Sequence, residues 1–196
     1  MPQKLDSEYW DTRWKEGKTG WDIGHASPAI TEFFAQEIDK SAAILIPGCG
    51  NAYEATSLAN MGFKNITLVD ISAEAVIRLQ NKFGQNPSIK IVHGDFFAID
   101  QQYDYLVEQT FFCALHPSRR QEYVQQAHSI LRPNGVLVGL LFNRSFDDDG
   151  PPFGGSVEEY QKLFQTLFHI RTMSPSPLSI PARRDKEVFV KMQAKS

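Results

Sequence analysis

The sequence predicts an open, doubly wound α/β fold, a mostly parallel sheet in a single domain over residues 1–196. Three observations predict it. From Ala42 onward, short apolar runs alternate with helical patterns, as they do in βαβ units. The runs "AAILI" and "VLVGLLF" are apolar almost throughout, as strands are when helices cover both faces of a sheet. Between the first run and the next helix lies "PGCG", a glycine turn at the end of a strand where such folds place ligands.

The elements follow in order. In "SEYWDTRWKEG" Trp10 and Trp14 are four apart, hence on one helix face, and Gly17 ends that helix. Ser27 supplies an N-cap and Pro28 the first helical position of the next helix; Ile30, Phe33, Phe34 and Ile38 form its apolar stripe. "AAILI" is a buried strand and "AYEATSLANMG" a helix closed by Gly62; "NITLVD" is a strand and "SAEAVIRLQNKFG" a helix capped by Ser72 and ended by Gly84. "SIKIVHGD" and "YDYLVEQ" are strands. "SRRQEYVQQAHSIL" is a helix with Tyr123, Ala127, Ile130 and Leu131 on one face, and Pro133 to Gly135 is a turn signal. The strand "VLVGLLF", the helix "SVEEYQKLFQTL" and a final alternating strand "EVFVKMQ" complete the chain.

Composition narrows the function. The net charge is −3, 42% of residues are hydrophobic and 22% charged, so no basic face for nucleic acid or a membrane surface is expected. No apolar run approaches the ~18 residues of a membrane span, and "MPQKLDSEYW" has no apolar signal core. A cytoplasmic protein acting on a small molecule is expected, with no nucleic-acid or membrane partner. Cys49 and Cys113 are not spaced as C-x-x-C, and the five histidines form no metal-binding cluster, so no metal is expected.

The glycine turn carries the chemistry. Gly48 and Gly50 permit a tight turn and close approach of a ligand to the backbone. Asp70 stands twenty positions after Gly50, at the end of the next strand, where an acid accepts hydrogen bonds from ribose hydroxyls. A dinucleotide site wants a third glycine where the helix begins, and Tyr53 stands there instead, which argues against a nicotinamide or flavin dinucleotide. A ligand with a ribose and no phosphate fits better, and S-adenosylmethionine is such a ligand. Asp95 and Phe96, in "GDFF" after the third strand, suit its adenine with a carboxylate for the exocyclic amine and an aromatic ring or backbone amide nearby.

Several longer motifs resemble the thiopurine S-methyltransferase family, and within it the halide/thiol methyltransferases of plants. They are "YWDTRWKEGKTGWDIGHASP", "LIPGCGNAYE", "LVDIS", "GDFF", "FFCALHPSRR" and "GPPFGGSVEEY", and they span most of the chain. The resemblance implies a class I methyltransferase fold with a helical lid over residues 1–38, and a last strand inserted antiparallel. It implies that Trp10, Trp14 and Trp21 enclose S-adenosylmethionine, that Gly48 and Gly50 approach it, and that Asp70 with Ile71 binds its ribose. Asp95 and Phe96 would border the adenine, and Glu108 and Thr110 would lie near the methionine end. Trp21, Phe112 and Phe153 would face the methyl acceptor.

Three positions depart from the family pattern. Phe153 stands where halide/thiol enzymes tend to have tyrosine, Glu108 where they have aspartate, and Gln109 where thiopurine enzymes carry arginine. The expected activity is transfer of a methyl group to a small soft nucleophile, a thiol or halide, by in-line displacement, with no residue acting as a covalent catalyst. A non-catalytic S-adenosylmethionine-binding module and a thiopurine-type methyltransferase for aromatic thiols stay open as alternatives. A monomer or weak dimer is expected.

Overall fold

A computed structural model describes residues 4–146 and 150–196. Seven strands form one sheet in the order β3-β2-β1-β4-β5-β7-β6. The strands are β1 (Ile44–Pro47), β2 (Ile66–Asp70), β3 (Ile89–His93), β4 (Tyr103–Gln109), β5 (Leu131–Phe142), β6 (Phe168–Pro175) and β7 (Glu187–Ala194). Strands β1 to β5 pair in parallel, and β7 runs antiparallel between β5 and β6, as the resemblance implied.

Every residue of β1 and β2 is buried, because helices cover both faces. On one face lie α2 (Pro28–Ala35), α3 (Tyr53–Asn60) and α4 (Ala73–Phe83), and on the other α5 (Arg120–Ser129) and α6 (Val157–Phe164). Each face has its own core: Ile30, Phe34, Leu58 and Leu79 on the first, Tyr123, Val124, Tyr160 and Phe164 on the second. Sequence spacing accounts for the helices: α4 buries Ala75, Val76, Leu79 and Phe83 along one stripe, and the Ser72 hydroxyl accepts from the Ala75 N–H as its cap.

The sequence misreads four local features. Helix α2 stops at Ala35, and Ile38, placed on its apolar stripe, is 90% exposed. Ser27 precedes Pro28 as expected, but its hydroxyl makes no cap; its backbone N–H instead donates to Glu54 Oε1 at 2.9 Å. The Pro133–Gly135 signal does not separate helix from strand. Leu131 already pairs with Tyr103, so the segment bulges out of β5 before pairing resumes at Val136. Strand β6 is absent from the sequence reading, although Phe168 and Ile170 alternate there with exposed His169 and Arg171.

The N-terminal helix α1 (Ser7–Lys15) lies against α4. Asp11 Oδ1 accepts from the Ser72 hydroxyl at 2.6 Å and from the Glu74 N–H at 3.2 Å, so one side chain of α1 caps the start of α4. Residues 1–3 of the expected lid lie outside the described residues. Among those described, no helix is long and apolar enough to cross a membrane.

Candidate active site

The strand order reverses between β1 and β4, and in open α/β sheets the crevice at such a point holds the ligand. A cavity of about 700 Å³ opens here, within the usual range for small-molecule sites. Its floor is the turn after β1. Gly48 (φ +52°) and Gly50 (φ +53°) both adopt left-handed backbone, which favours glycine. A Cβ at Gly48 would come within 2.3 Å of Phe111 Cδ2, so this turn and the one after β4 press together only because position 48 lacks a side chain.

Asp70 ends β2 and is 8% exposed. Its Oδ2 accepts from the Gly50 N–H at 3.2 Å and its Oδ1 from the Ser72 N–H at 2.9 Å. Burial holds its pKa above the ordinary aspartate value, while the two N–H bonds oppose that rise. Each oxygen takes one protein donor, which leaves lone pairs for a ligand's hydroxyls. Ile71 lines the cavity beside it.

At the end of β3, Asp95 and Phe96 also line the cavity. Asp95 Oδ1 accepts from the Phe97 N–H at 3.1 Å and so fixes the short turn that follows. Phe96 is stacked on Tyr123 and meets Phe111 edge-on, with ring centroids 5.4 and 5.2 Å apart.

The roof comes from the N-terminal segment. Trp10, Trp14 and Trp21 line the cavity together, and Trp21 meets the other two edge-on, with centroids 5.6 and 5.7 Å away. Arg78 lies 5.3 Å above the Trp14 ring and Arg13 5.9 Å from that of Trp21. Asp22 anchors this roof, its Oδ2 accepting from Asn51 Nδ2 at 2.6 Å and from the Tyr53 hydroxyl at 3.3 Å. That places a carboxylate and a phenol at the start of α3, where a dinucleotide would need room and positive potential for its pyrophosphate.

Three expected site residues lie elsewhere. Glu108 is fully buried behind the cavity wall. Its Oε1 accepts from the Phe111 and Phe112 N–H groups, both at 2.9 Å, and its Oε2 from the Tyr123 hydroxyl at 2.8 Å. The carboxylate thus holds the turn that carries Thr110, whose φ of +60° is a rare conformation for a β-branched residue. Desolvation pushes the Glu108 pKa up to about 7. Phe112, 1% exposed, points into the core against Tyr123 and Tyr160. Phe153 faces a neighbouring groove and meets His116 edge-on at 5.5 Å; Pro151 and Pro152 before it line the main cavity instead. Burial raises the pKa of both thiols, Cys49 and Cys113, which leaves neither suited to act as a nucleophile.

Other residues shape the site without standing out in the sequence. Buried Arg120 donates to the Gly154 carbonyl at 2.6 Å and pairs with Glu159, fastening the Pro-Pro loop to α6. Arg13 and Arg144 line the cavity, and Asp22 anchors its roof through Asn51 and Tyr53, a pairing between distant segments that leaves no periodic signal. In the sequence, Asp22 follows Trp21 directly and Arg13 precedes Trp14.

Comparison with known proteins places this geometry. The sequence model described as Thiopurine S-methyltransferase (TPMT) matches residues 5–195. The chain is similar to probable thiol methyltransferase 2 of Arabidopsis thaliana, with 31% identity over 184 residues, covering 91% of this chain and 81% of that protein. It is similar to thiocyanate methyltransferase 1 of Brassica oleracea, with 26% identity over 193 residues, covering 95% and 85%. Among solved structures, it resembles the 1,6-didemethyltoxoflavin-N1-methyltransferase of Burkholderia thailandensis, solved with 1,6-didemethyltoxoflavin and S-adenosylhomocysteine bound. The TM-score is 0.77 at 15% identity, covering 97% of this chain and 87% of that one.

Proposed function

The chain belongs to the thiopurine S-methyltransferase family, and from that premise we propose that it methylates a small soft anion, a thiolate or a halide. It is an S-adenosylmethionine-dependent methyltransferase. The cavity fits that cofactor on three counts: Asp70 retains acceptor capacity, a non-phosphate ligand suits the Asp22–Tyr53 cluster, and aromatic faces suit a sulfonium. Asp70 and Ile71 would hold the ribose, Asp95 and Phe96 the adenine, and the Gly48–Gly50 turn with the three tryptophans the remainder. When bound, the cofactor supplies a methyl group on a positively charged sulfur. Of the expected lid, residues 4–26 would cover it, latched by Asp11 on α4 and Asp22 on α3, whereas α2 packs into the core with Ile30 and Phe34 and is no part of a lid.

One observation carries the choice of acceptor: among the described residues, no histidine–carboxylate pair stands at the mouth to take a proton. His116 lines the cavity, but its Nδ1 is engaged by Ser118, 2.8 Å from the hydroxyl and 3.3 Å from the backbone N–H, and no carboxylate is among its partners in the described residues. Glu108, a buried acid whose pKa burial pushes up to about 7, spends both oxygens on Phe111, Phe112 and Tyr123. A catechol or an amine needs a positioned base; a thiolate or iodide does not. The protein's part is to align acceptor and methyl and to keep water from the anion with Trp21, Phe111, Leu115 and Pro152.

The test is formation of S-adenosylhomocysteine with a panel of acceptors. Hydrosulfide, an alkyl thiol and iodide should each react faster than a catechol or an alkylamine, by roughly the 10²- to 10⁴-fold that a missing general base is worth. His116→Ala should leave thiol rates within about threefold, since loss of a general base would cost far more. A catechol or amine as the best acceptor would refute the reading.

A further inference from the structure

We propose that Arg13 is the anchor for the α-carboxylate of the cofactor's amino-acid end, an inference that rests on the cofactor reading above. Arg13 stands between Trp10 and Trp14 in "WDTRW" and lines the cavity with both. Its Nε is shielded from solvent and has no hydrogen-bond partner among the described residues. It makes no ion pair among them either, and Glu16, the acid at its own helix end, is bound by Lys18 at 2.8 Å. A shielded guanidinium nitrogen without a partner is costly, and in native proteins such groups nearly always find one.

Position identifies the partner. With the ribose on Asp70, the two arms of an adenosyl amino acid leave in opposite directions. One arm runs to Asp95 and Phe96 at the end of β3, which suit a base. The other runs over the Gly48–Gly50 turn. There a Cβ at Gly50 would stand 3.7 Å from both Trp14 Cζ2 and Trp21 Nε1, so the roof comes down directly above the turn. Arg13 flanks Trp21 at this end. The amino-acid arm carries an ammonium, a sulfonium and one carboxylate. Only the carboxylate is an acceptor that a guanidinium can bind, and two parallel N–H bonds would orient it.

The fork therefore sets which adenosyl compounds are held, through a group remote from the reacting sulfur. The experiment is a binding cycle by calorimetry, with no turnover involved. S-adenosylmethionine and decarboxylated S-adenosylmethionine, which differ only in the carboxylate, are each titrated into the wild-type protein, Arg13→Gln and Arg13→Lys. Gln keeps the stem that packs beside Trp21 and removes the charge. The wild type should prefer the carboxylated ligand by roughly 10- to 100-fold, the worth of a charge-assisted bond. Arg13→Gln should lose most of that preference while binding the decarboxylated ligand within about threefold of wild type, since its stem is kept; Arg13→Lys should keep part of it. An undiminished preference in Arg13→Gln would overturn the assignment, and so would equal weakening of both ligands, which would make Arg13 a support for the roof. A wild-type protein that bound neither ligand would overturn the cofactor reading itself.

Discussion

Glu108→Ala is expected to destabilise the fold by roughly 3–5 kcal/mol, the cost of leaving three buried donors without an acceptor at about 1–3 kcal/mol each. Three donors lose their acceptor at once: the Phe111 and Phe112 N–H groups and the Tyr123 hydroxyl. No water reaches them, because Glu108 is fully buried. Glu108→Gln should cost far less, since its carbonyl accepts from both N–H groups and its amide meets the Tyr123 oxygen. The pair also differs in pH dependence. Burial raises the folded pKa from 4.5 to about 7. The folded protein thus holds a proton that the unfolded chain releases, and the associated stability is complete below pH 4.5 and lost as pH rises through 7. The loss is about 3 kcal/mol. Denaturant midpoints near pH 5 and pH 8 check this: wild type should drop by that amount across the interval relative to Glu108→Gln. Parallel profiles would mean that Glu108 is ionised throughout.

Asp70→Ala is expected to weaken S-adenosylhomocysteine binding by 100-fold or more, on the order of one to two charge-assisted bonds. The loss has two origins. Direct bonds to the ribose hydroxyls go, and so does the carboxylate that joins the Gly50 N–H to the Ser72 N–H. Asp70→Asn separates them, because its single carbonyl keeps one acceptor and its amide cannot bond an N–H. It should fall between wild type and alanine in calorimetry on the folded variants. Affinity equal to wild type in Asp70→Ala would remove this acid from the site.

The cofactor end was more legible in the sequence than the acceptor end. Gly48, Gly50, Asp70, Asp95 and Phe96 sit at strand termini, where a period in the sequence fixes their position in space, and all five line one cavity. The tryptophans converge because Trp10 and Trp14 share a helix face and Trp21 follows within one short turn. Glu108 lies at a strand end too, but one residue's phase decides whether a side chain faces ligand or core, and buried Tyr123 draws it inward. Phe112 turned inward for the same reason, against an aromatic core that only the fold assembles. Asp22 and Arg120 act through partners far along the chain, Asp22 with Asn51 and Tyr53, and Arg120 with Gly154. No local pattern encodes those pairings. Strand β6 was missed because its polar face is exposed at a sheet edge and its apolar positions are few.

The central claim is that the acceptor arrives as an anion and the protein takes no proton from it. The most direct measurement is the pH–rate profile, at subsaturating acceptor, for two thiols of different acidity and for iodide. A free alkyl thiol ionises near ~8.5, and an aromatic thiol ionises lower. The account predicts that each thiol's rate rises with pH and levels at that thiol's own pKa, so the two midpoints differ as the acceptors do. Iodide, which has no proton to lose, should show no such rise. A single midpoint shared by both thiols and by iodide would place the controlling ionisation on the protein and contradict the account.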